Sequence, residues 1–278
     1  MMRRAALLAL LACCLATPRA VAAGTADTLT VVTLNLWHDE HDWPARLQRI
    51  VRELRALRPD VVCLQEVLQN PALPNQAETL ADSLGWHWHF VSVDGVERPK
   101  RYGNAILTPH PVLRAEGVFL RPLDDWRVAV HLRIDFHGRP LDVYDTHLHH
   151  TIEGGAIRET QLRHLLAYVD STRSGGPLVL AGDFNCELGS PELAPVEKGY
   201  LDAFAKLHPD VRGAAAATMN PLLGNEARAI DHVFTPRKGS GALRPAAAAI
   251  LFRDAGPDSV WASDHFGVLA RFTLGKPR

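Results

Sequence analysis

The chain lacks any excess of basic charge: 30 Lys and Arg stand against 31 Asp and Glu, a net −1 at pH 7. A strongly basic surface is the usual footprint of a polynucleotide binder, so the total leans away from that class, although a basic cleft fits inside an acidic total. Beyond the opening segment, no window approaches the roughly 20 apolar residues that a membrane-spanning helix needs. Cysteine is scarce, four residues in all, and two of these, Cys13 and Cys14, fall in the opening segment. The remaining pair, Cys63 and Cys186, leaves room for one bridge at most. Each lies in an apolar strand context, and two buried free thiols is the preferred reading. Internal repeats and low-complexity tracts are also missing, since the alanine runs at 214–217 and 246–249 are too short to count.

The opening segment is rich in one thing. "MMRRAALLALLACCLATPRAVAAG" has Arg3 and Arg4, then an apolar run, then small residues around Ala20–Ala23. That order is the pattern of a secretory signal with a small-residue cleavage site. Residues 1–23 are therefore expected to be a signal peptide, with an exported (periplasmic or secreted) domain spanning 24–278. Leu10–Cys13 also resembles a lipoprotein box, which would make Cys13 the carrier of an envelope lipid anchor, and an uncleaved anchor is the remaining alternative. Without the leader, 27 basic residues face 31 acidic ones, a net −4.

The rest has ordinary globular composition, 47% hydrophobic and 22% charged, enough for a large core. Short β-rich runs dominate: "LTVVTLNLW", "DVVCLQEV", "WHWHFV", "GNAILT", "VAVHLRI", "PLDVYDTHL", "PLVLAGDFN", "AIDHVF", "AAAAILF" and "HFGVLARF". A His137–Gly138 turn joins two of them. Helical periodicity appears in "WPARLQRIVRELRALRPD", where Leu47, Ile50, Val51, Leu54 and Leu57 form one stripe. It recurs in a short helix closed by Gly85 and in "AIRETQLRHLLAYVD". The stretch from about 187 to 229 reads as looser. Several strands are apolar on both faces, as when helices cover one side and a second sheet the other. One continuous pattern without linkers predicts a single layered α/β domain.

Polar residues fall repeatedly at the tips of these strands. Asn35 ends "TVVTLN", Glu66 ends "DVVCLQE", His147 ends "LDVYDTH", and Asp183 and Asn185 end "LVLAGDFN". Asp231 and His232 interrupt "AIDHVF", and Asp264 and His265 precede "FGVLARF". Residues i and i+2 share a strand face, so Asp183 and Asn185 are expected to point together while Phe184 packs inward. Asp264 and His265 are expected in a turn shaped by Ser263 or backbone groups. Each residue alone has an ordinary structural explanation. Together they would be expensive to satisfy without a shared ion or substrate. Asn, Asp and Glu offer hard oxygens suited to Mg²⁺ or Mn²⁺, and His with a carboxylate suits proton transfer near neutral pH. That set is the equipment for phosphate ester hydrolysis.

In order, "TLNLW", "CLQEV", "GNAIL", "DTHL", "AGDFN", "IDHVF" and "SDHFGV" resemble the endonuclease/exonuclease/phosphatase superfamily. That superfamily includes deoxyribonuclease I, abasic-site endonucleases, neutral sphingomyelinases and inositol polyphosphate 5-phosphatases. The resemblance spans about 29–273 and implies a four-layer α-β-β-α sandwich of two mixed β-sheets flanked by helices. It implies Glu66 as the main Mg²⁺ ligand, helped by Asn35 and Asp264. It implies Asp183 as the residue that positions or activates water, Asn185 as a holder of phosphate or water, and His265, oriented by Asp231, as the phosphate-binding acid–base group. His147 matches the second site histidine near the leaving group. Arg127 resembles a phosphate-neutralising arginine, with a surface salt bridge as its plain alternative. One departure is Lys100, with Glu97 nearby, where deoxyribonuclease I has a glutamate behind the second histidine. The polar loops "NLWHDEHDW" and "DTHLHHT" read as solvated rim rather than as a second metal site.

The expectation is an exported, Mg²⁺-dependent phosphoester hydrolase, with Mn²⁺ as a substitute, that uses in-line attack of water. A phosphodiesterase acting on a phospholipid headgroup or other small phosphodiester is favoured. A secreted deoxyribonuclease I-like nuclease is the main alternative and a phosphomonoesterase the third. The rival of another class is an inactive family member serving as a binding module. No obligate protein partner is evident, and a monomer is expected.

Overall fold

Helix boundaries follow from local chemistry. In the computed structural model, which describes residues 28–239, 243–256 and 259–275, α1 spans Trp43–Leu57. The Asp42 carboxylate accepts the Ala45 N–H (3.1 Å), and Pro44 occupies the first turn, where a missing N–H costs nothing. The helix α2 (Gln76–Leu84) starts at Asn75, whose side chain accepts from Ala77 and Glu78, and stops at Gly85 with φ +72. Glycine enters that left-handed conformation without a Cβ penalty. Leu162, Leu165 and Val169 form the buried stripe of α3 (Gly155–Thr172). Two short helices follow, α4 (Ala194–Gly199) and α5 (Ala203–Leu207).

The strands in chain order are β1 (Thr28–Asn35), β2 (Val61–Gln69), β3 (His87–Ser92), β4 (Arg101–Thr108), β5 (Val112–Phe119) and β6 (Val128–Phe136). They continue with β7 (Arg139–His147), β8 (Leu178–Asp183), β9 (Tyr200–Asp202), β10 (Asp231–Pro236), β11 (Leu243–Leu251) and β12 (Gly267–Leu274). They form two six-stranded mixed sheets, ordered β11-β12-β1-β2-β4-β3 and β5-β6-β7-β8-β10-β9. Strand alternation explains why both faces are apolar. In β1, Val31 turns into the layer between the sheets with Cys63, Ile106, Val130, Leu132 and Val179. Val32 and Leu34 turn outward against Ile50, Leu54 and Leu80 of α1 and α2. On the other sheet Tyr144, Leu180 and Phe184 meet Leu162, Leu165 and Val169 of α3. The result is the expected α-β-β-α sandwich.

Each sheet contains one parallel pair joined by a helix. β1 pairs with β2 across α1, and β7 pairs with β8 across α3. Because β7 and β8 run side by side in register, the strand tips His147 and Asp183 are neighbours. The His137–Gly138 turn has φ of +54 and +82, the pattern of a tight two-residue hairpin.

Some elements differ from the sequence reading. β5 is an edge strand whose residues are mostly exposed, so it carries no apolar alternation to announce it. The stretch 187–229 holds α4, β9 and α5, each too short for a periodic signal. Cys63 and Cys186 are free and buried, and they lie in different layers. The leader and Cys13 lie outside the described residues. Among those residues no helix is long and apolar enough to cross a membrane.

Candidate active site

Asp183 is the pivot. It ends β8 beside His147 of β7 and opposite Asp231 of β10. Gly182 makes this close approach possible: its φ is +135, and a Cβ there would collide with the Thr146 carbonyl of β7. The second sheet's carboxylate is reached by the first sheet's amide, since Asn35 Nδ2 donates to Asp183 Oδ2 (3.0 Å). The Asn185 N–H donates to Oδ1 (3.0 Å). The Nε2 atoms of His147 and His265 stand 3.5 and 3.8 Å from Oδ2. Burial, followed by the charge of Asp231, raises the Asp183 carboxyl to about 7.

His265 Nδ1 bonds Asp231 Oδ2 at 2.9 Å. The turn before it is tied by Ser263, whose Oγ accepts the His265 N–H (3.1 Å) and donates to Asp264 Oδ1 (3.3 Å). Thr218 Oγ1 accepts the N–H groups of Ile230 (3.0 Å) and Asp231 (3.1 Å), which fixes the other partner. Burial alone would depress His265, but the charges of Asp231 and Asp183 outweigh it and hold the ring well above its ordinary range. His147 goes the other way. Burial, then the nearby Arg127 charge, pushes it well down. One histidine is thus held protonated and the other neutral, the separation that divides acid from base roles in a shared site.

Glu66 does not end its strand as the sequence suggested. β2 runs on to Gln69, and a bulge between Leu64 and Val67 carries Glu66 at φ +56. Such a bulge re-aims a side chain, and the Glu66 carboxylate meets His38 Nε2 at 2.8 Å. Burial would raise this carboxyl, but the His38 hydrogen bond, with the charge of His265, pulls it below the carboxylate range. Tyr102 is pushed up, first by burial and then by the Glu66 charge. Asp264 is also raised, first by burial and with a contribution from Glu66. Asn35 spends Nδ2 on Asp183 and accepts the Trp37 N–H (2.9 Å) on Oδ1, which leaves one oxygen lone pair.

Asn185 also departs from the expected geometry. Its φ is +53, so it does not continue the strand with its side chain parallel to Asp183. The left-handed turn instead brings its N–H onto Asp183, and Nδ2 donates to the Leu148 carbonyl (3.0 Å). Phe184 is buried under α3 as expected. Cys186 is buried with its thiol raised to about 12, first by burial. Its carbonyl accepts from His232 Nε2 (3.0 Å), and His232 packs away from the site with Asp202 (3.2 Å). Arg127 lies 3.8 Å from Asp125 and 3.3 Å from His150 Nδ1, and its charge reaches His147 and Tyr102. Among the described residues no glutamate backs His147, and its buried Nδ1 finds no hydrogen-bond partner.

Sequence reasoning missed His38, Tyr102 and Thr218. His38 sits in a loop that reads as polar rim, and only its contact with Glu66 distinguishes it. Tyr102 directly precedes the recognisable "GNAIL", but its residue type carries no mark of the site, and only its approach to Glu66 distinguishes it.

The residues fit a divalent cation. Glu66, Asp183, Asp231 and Asp264 converge with two carboxyls raised by burial and mutual charge, and buried Asp231 Oδ1 has no hydrogen-bond partner among the described residues. Ligand atoms of Asp183, Asp231 and His265 lie within 4.8 Å of one another. Hard oxygens and a His–Asp pair at one end of a two-sheet sandwich are the equipment of metal-dependent phosphoester hydrolysis. The model of the Endonuclease/Exonuclease/phosphatase family matches residues 32–265, and the chain belongs to that family.

Among curated proteins the chain is similar to Nocturnin of Drosophila melanogaster, 30% identical, over 84% of this chain and 42% of the relative. It is also similar to Protein angel homolog 2 of Danio rerio, 33% identical over 58% of this chain and 31% of the relative. The match thus spans less than half the length of either relative. The fold is shared with D. rerio TDP2 complexed with single strand DNA product (TM-score 0.74, 21% identity, 88% and 99% of the two chains). It is also shared with the human Nocturnin catalytic domain with bound sulfate anion (TM-score 0.69, 21%, 90% and 94%). An endonuclease/exonuclease/phosphatase from Beutenbergia cavernae is similar too (TM-score 0.69, 25%, 90% and 72%).

Proposed function

We propose that the chain is an exported Mg²⁺-dependent phosphodiesterase. The observation that carries this is Asp183, a buried carboxyl raised to about 7 between a neutral and a protonated histidine. A group near neutrality is matched to accept a proton from attacking water, and Asn35 and the Asn185 N–H fix its orientation. His265, kept protonated by Asp231, faces the phosphate and supplies the proton that the leaving oxygen takes up. His147, neutral and beside Arg127, positions rather than donates. Glu66, Asp264 and the remaining Asn35 lone pair are the oxygens assigned to Mg²⁺, with Mn²⁺ serving the same donors; the ion would neutralise phosphoryl oxygen charge. Assigning it to Asp183, Asp231 and His265 instead would consume the base and the acid.

The charge of Arg127 reaches His147 and adds to that of protonated His265 at the phosphate. Its surroundings favour a phospholipid headgroup or similar small diester. Trp126 is 71% exposed beside it, and Ile152, in the loop after His147, is 66% exposed. An apolar rim flanking a phosphate-facing cation suits an interface that is part lipid. Nucleic acid is the second reading, favoured by the TDP2 complex with single strand DNA product. A concavity of about 270 Å³ lined by Trp37, His41 and Trp261 would serve base stacking there.

Hydrolysis of sphingomyelin, plasmid DNA, bis-p-nitrophenyl phosphate and p-nitrophenyl phosphate in Mg²⁺ tests the proposal. Turnover of diesters that Asp183→Asn abolishes is expected. Rapid plasmid nicking at low enzyme would move the assignment to a nuclease, and inertness toward all four would overturn it. Export rests on the leader pattern and is tested by mass measurement of the mature N-terminus, expected near residue 24.

A further inference from the structure

We propose that Arg46 is a positioning residue of the active site, its guanidinium holding two loops in the arrangement that aims Asn35, Glu66 and the Ser263–His265 turn at Asp183. This rests on the phosphodiesterase reading and adds to it a residue that the motifs do not mark. Arg46 lies in the first turns of α1 at the edge of its apolar stripe, three residues after Trp43 and four before Ile50. It is only 1% exposed and heads the buried side chains by size.

All five of its hydrogen bonds go to carbonyls. Nη1 donates to Leu36 (2.6 Å) and Ala262 (3.0 Å), Nη2 to His38 (2.8 Å) and Trp37 (3.3 Å), and Nε to Glu40 (3.0 Å). The Trp37 and Trp43 rings lie 5.6 and 5.2 Å from Cζ. Burial lowers the group to about 10, so it remains charged at neutral pH. A buried charge is a poor choice for stability alone, because apolar side chains of similar volume do as well.

The loop it binds needs an external hold. Trp37, His38 and His41 take φ of +55, +36 and +54, a region non-glycine residues avoid. The loop's work is in the site: the Trp37 N–H orients Asn35 (2.9 Å) and His38 orients Glu66 (2.8 Å). Ala262 directly precedes the turn carrying Asp264 and His265. One planar fork thus ties this loop to Ala262, 216 positions from Arg46 itself. Lysine cannot replace it, since an ammonium offers three donors without the fork. Arg158 of α3 does related work for the loop after His147, donating to the carbonyls of His149 (3.1 Å) and Ile152 (3.1 Å). It differs in being paired with Glu192 (2.8 Å).

The test compares wild type, Arg46→Lys and Arg46→Ala by bis-p-nitrophenyl phosphate kinetics and by amide hydrogen exchange of the metal-free protein. For Arg46→Lys, kcat is expected to fall about 30-fold with KM within about threefold, the mark of misplaced chemistry rather than lost binding. Exchange is expected to quicken about tenfold over residues 36–42 and 262–266 while β2 and β8 keep their protection. Ethylguanidinium added to Arg46→Ala is expected to restore part of kcat. Full kcat in Arg46→Lys, or exchange accelerated equally in the core strands, would overturn the proposal. If wild type hydrolyses no phosphoester, the functional reading fails by itself, and the exchange measurement still decides whether Arg46 places the loops.

Discussion

Replacing Asp145 by Asn is expected to stabilise the protein at neutral pH. Asp145 lies on β7 two residues before His147, in the layer between the sheets, and is fully buried. Gln65 Nε2 reaches across from β2 to its Oδ1 (2.6 Å) and also bonds Thr33 Oγ1 (3.0 Å). Among the described residues Asp145 Oδ2 and Gln65 Oε1 have no hydrogen-bond partner. Burial, with a further contribution from the Asp183 charge, lifts this carboxyl well above its ordinary range, so the folded protein holds it protonated where the unfolded chain has released it. The sign follows from linkage: the folded state binds the extra proton, so stability is lost as pH rises above the unfolded value of about 3.9, by about 1.4 kcal/mol per pH unit, until the folded value is reached. Asn is isosteric, cannot ionise and keeps the acceptor for Gln65. Urea unfolding of both proteins at half-unit steps from pH 4 to 8 reads the difference. Near pH 4 the two should agree within about 1 kcal/mol, and the variant's advantage should grow with that slope. A pH-independent difference, or a variant less stable at pH 7, would mean that the buried carboxyl is ionised and the reasoning is wrong.

Phe184→Ala, which empties a buried site under α3, should cost about 3–5 kcal/mol in urea unfolding, and a loss below about 1 kcal/mol would contradict the packing role. Asp231→Asn removes the charge that keeps His265 protonated and should lower kcat by about 10²–10⁴-fold, measured on bis-p-nitrophenyl phosphate; an unchanged kcat would remove the pair from the chemistry. Chelation by EDTA should abolish turnover, with Mg²⁺ or Mn²⁺ restoring it. Mg²⁺ should also raise the melting temperature of the metal-free protein in a concentration-dependent way, because binding to the native state alone stabilises it, and a melting temperature indifferent to Mg²⁺ would argue against a site among these carboxylates.

The two parallel strand pairs explain how one cluster draws on both sheets. β1–α1–β2 brings Asn35 and Glu66, and β7–α3–β8 brings His147 and Asp183. Each helix then returns a buried arginine to the loop that follows its first strand. The bond from Asn35 to Asp183 joins the two halves.

Much of this was written locally and could be read locally. Strands apolar on both faces, as in Val31 to Leu34, announce burial between a sheet and a helix, and the polar strand ends Asn35, His147, Asp183, Asp231 and His265 announce the cluster that the fold assembles. Gly85 and the His137–Gly138 turn were legible because their backbone demands are met within two residues. Tertiary structure decided what each tip is for. The bulge that re-aims Glu66 and the left-handed turn at Asn185 leave the periodicity unchanged and were invisible to it. His38 as the partner of Glu66, Arg46 as the clamp of two loops and Asp145 as a buried acid without a cation all depend on which groups meet. The physical reason is range. Apolar patterning is set by neighbours a few residues apart, whereas ion pairing, desolvation and the resulting protonation depend on distances between residues such as Asn35 and Asp183, 148 positions apart in the chain and 3.0 Å apart in the fold.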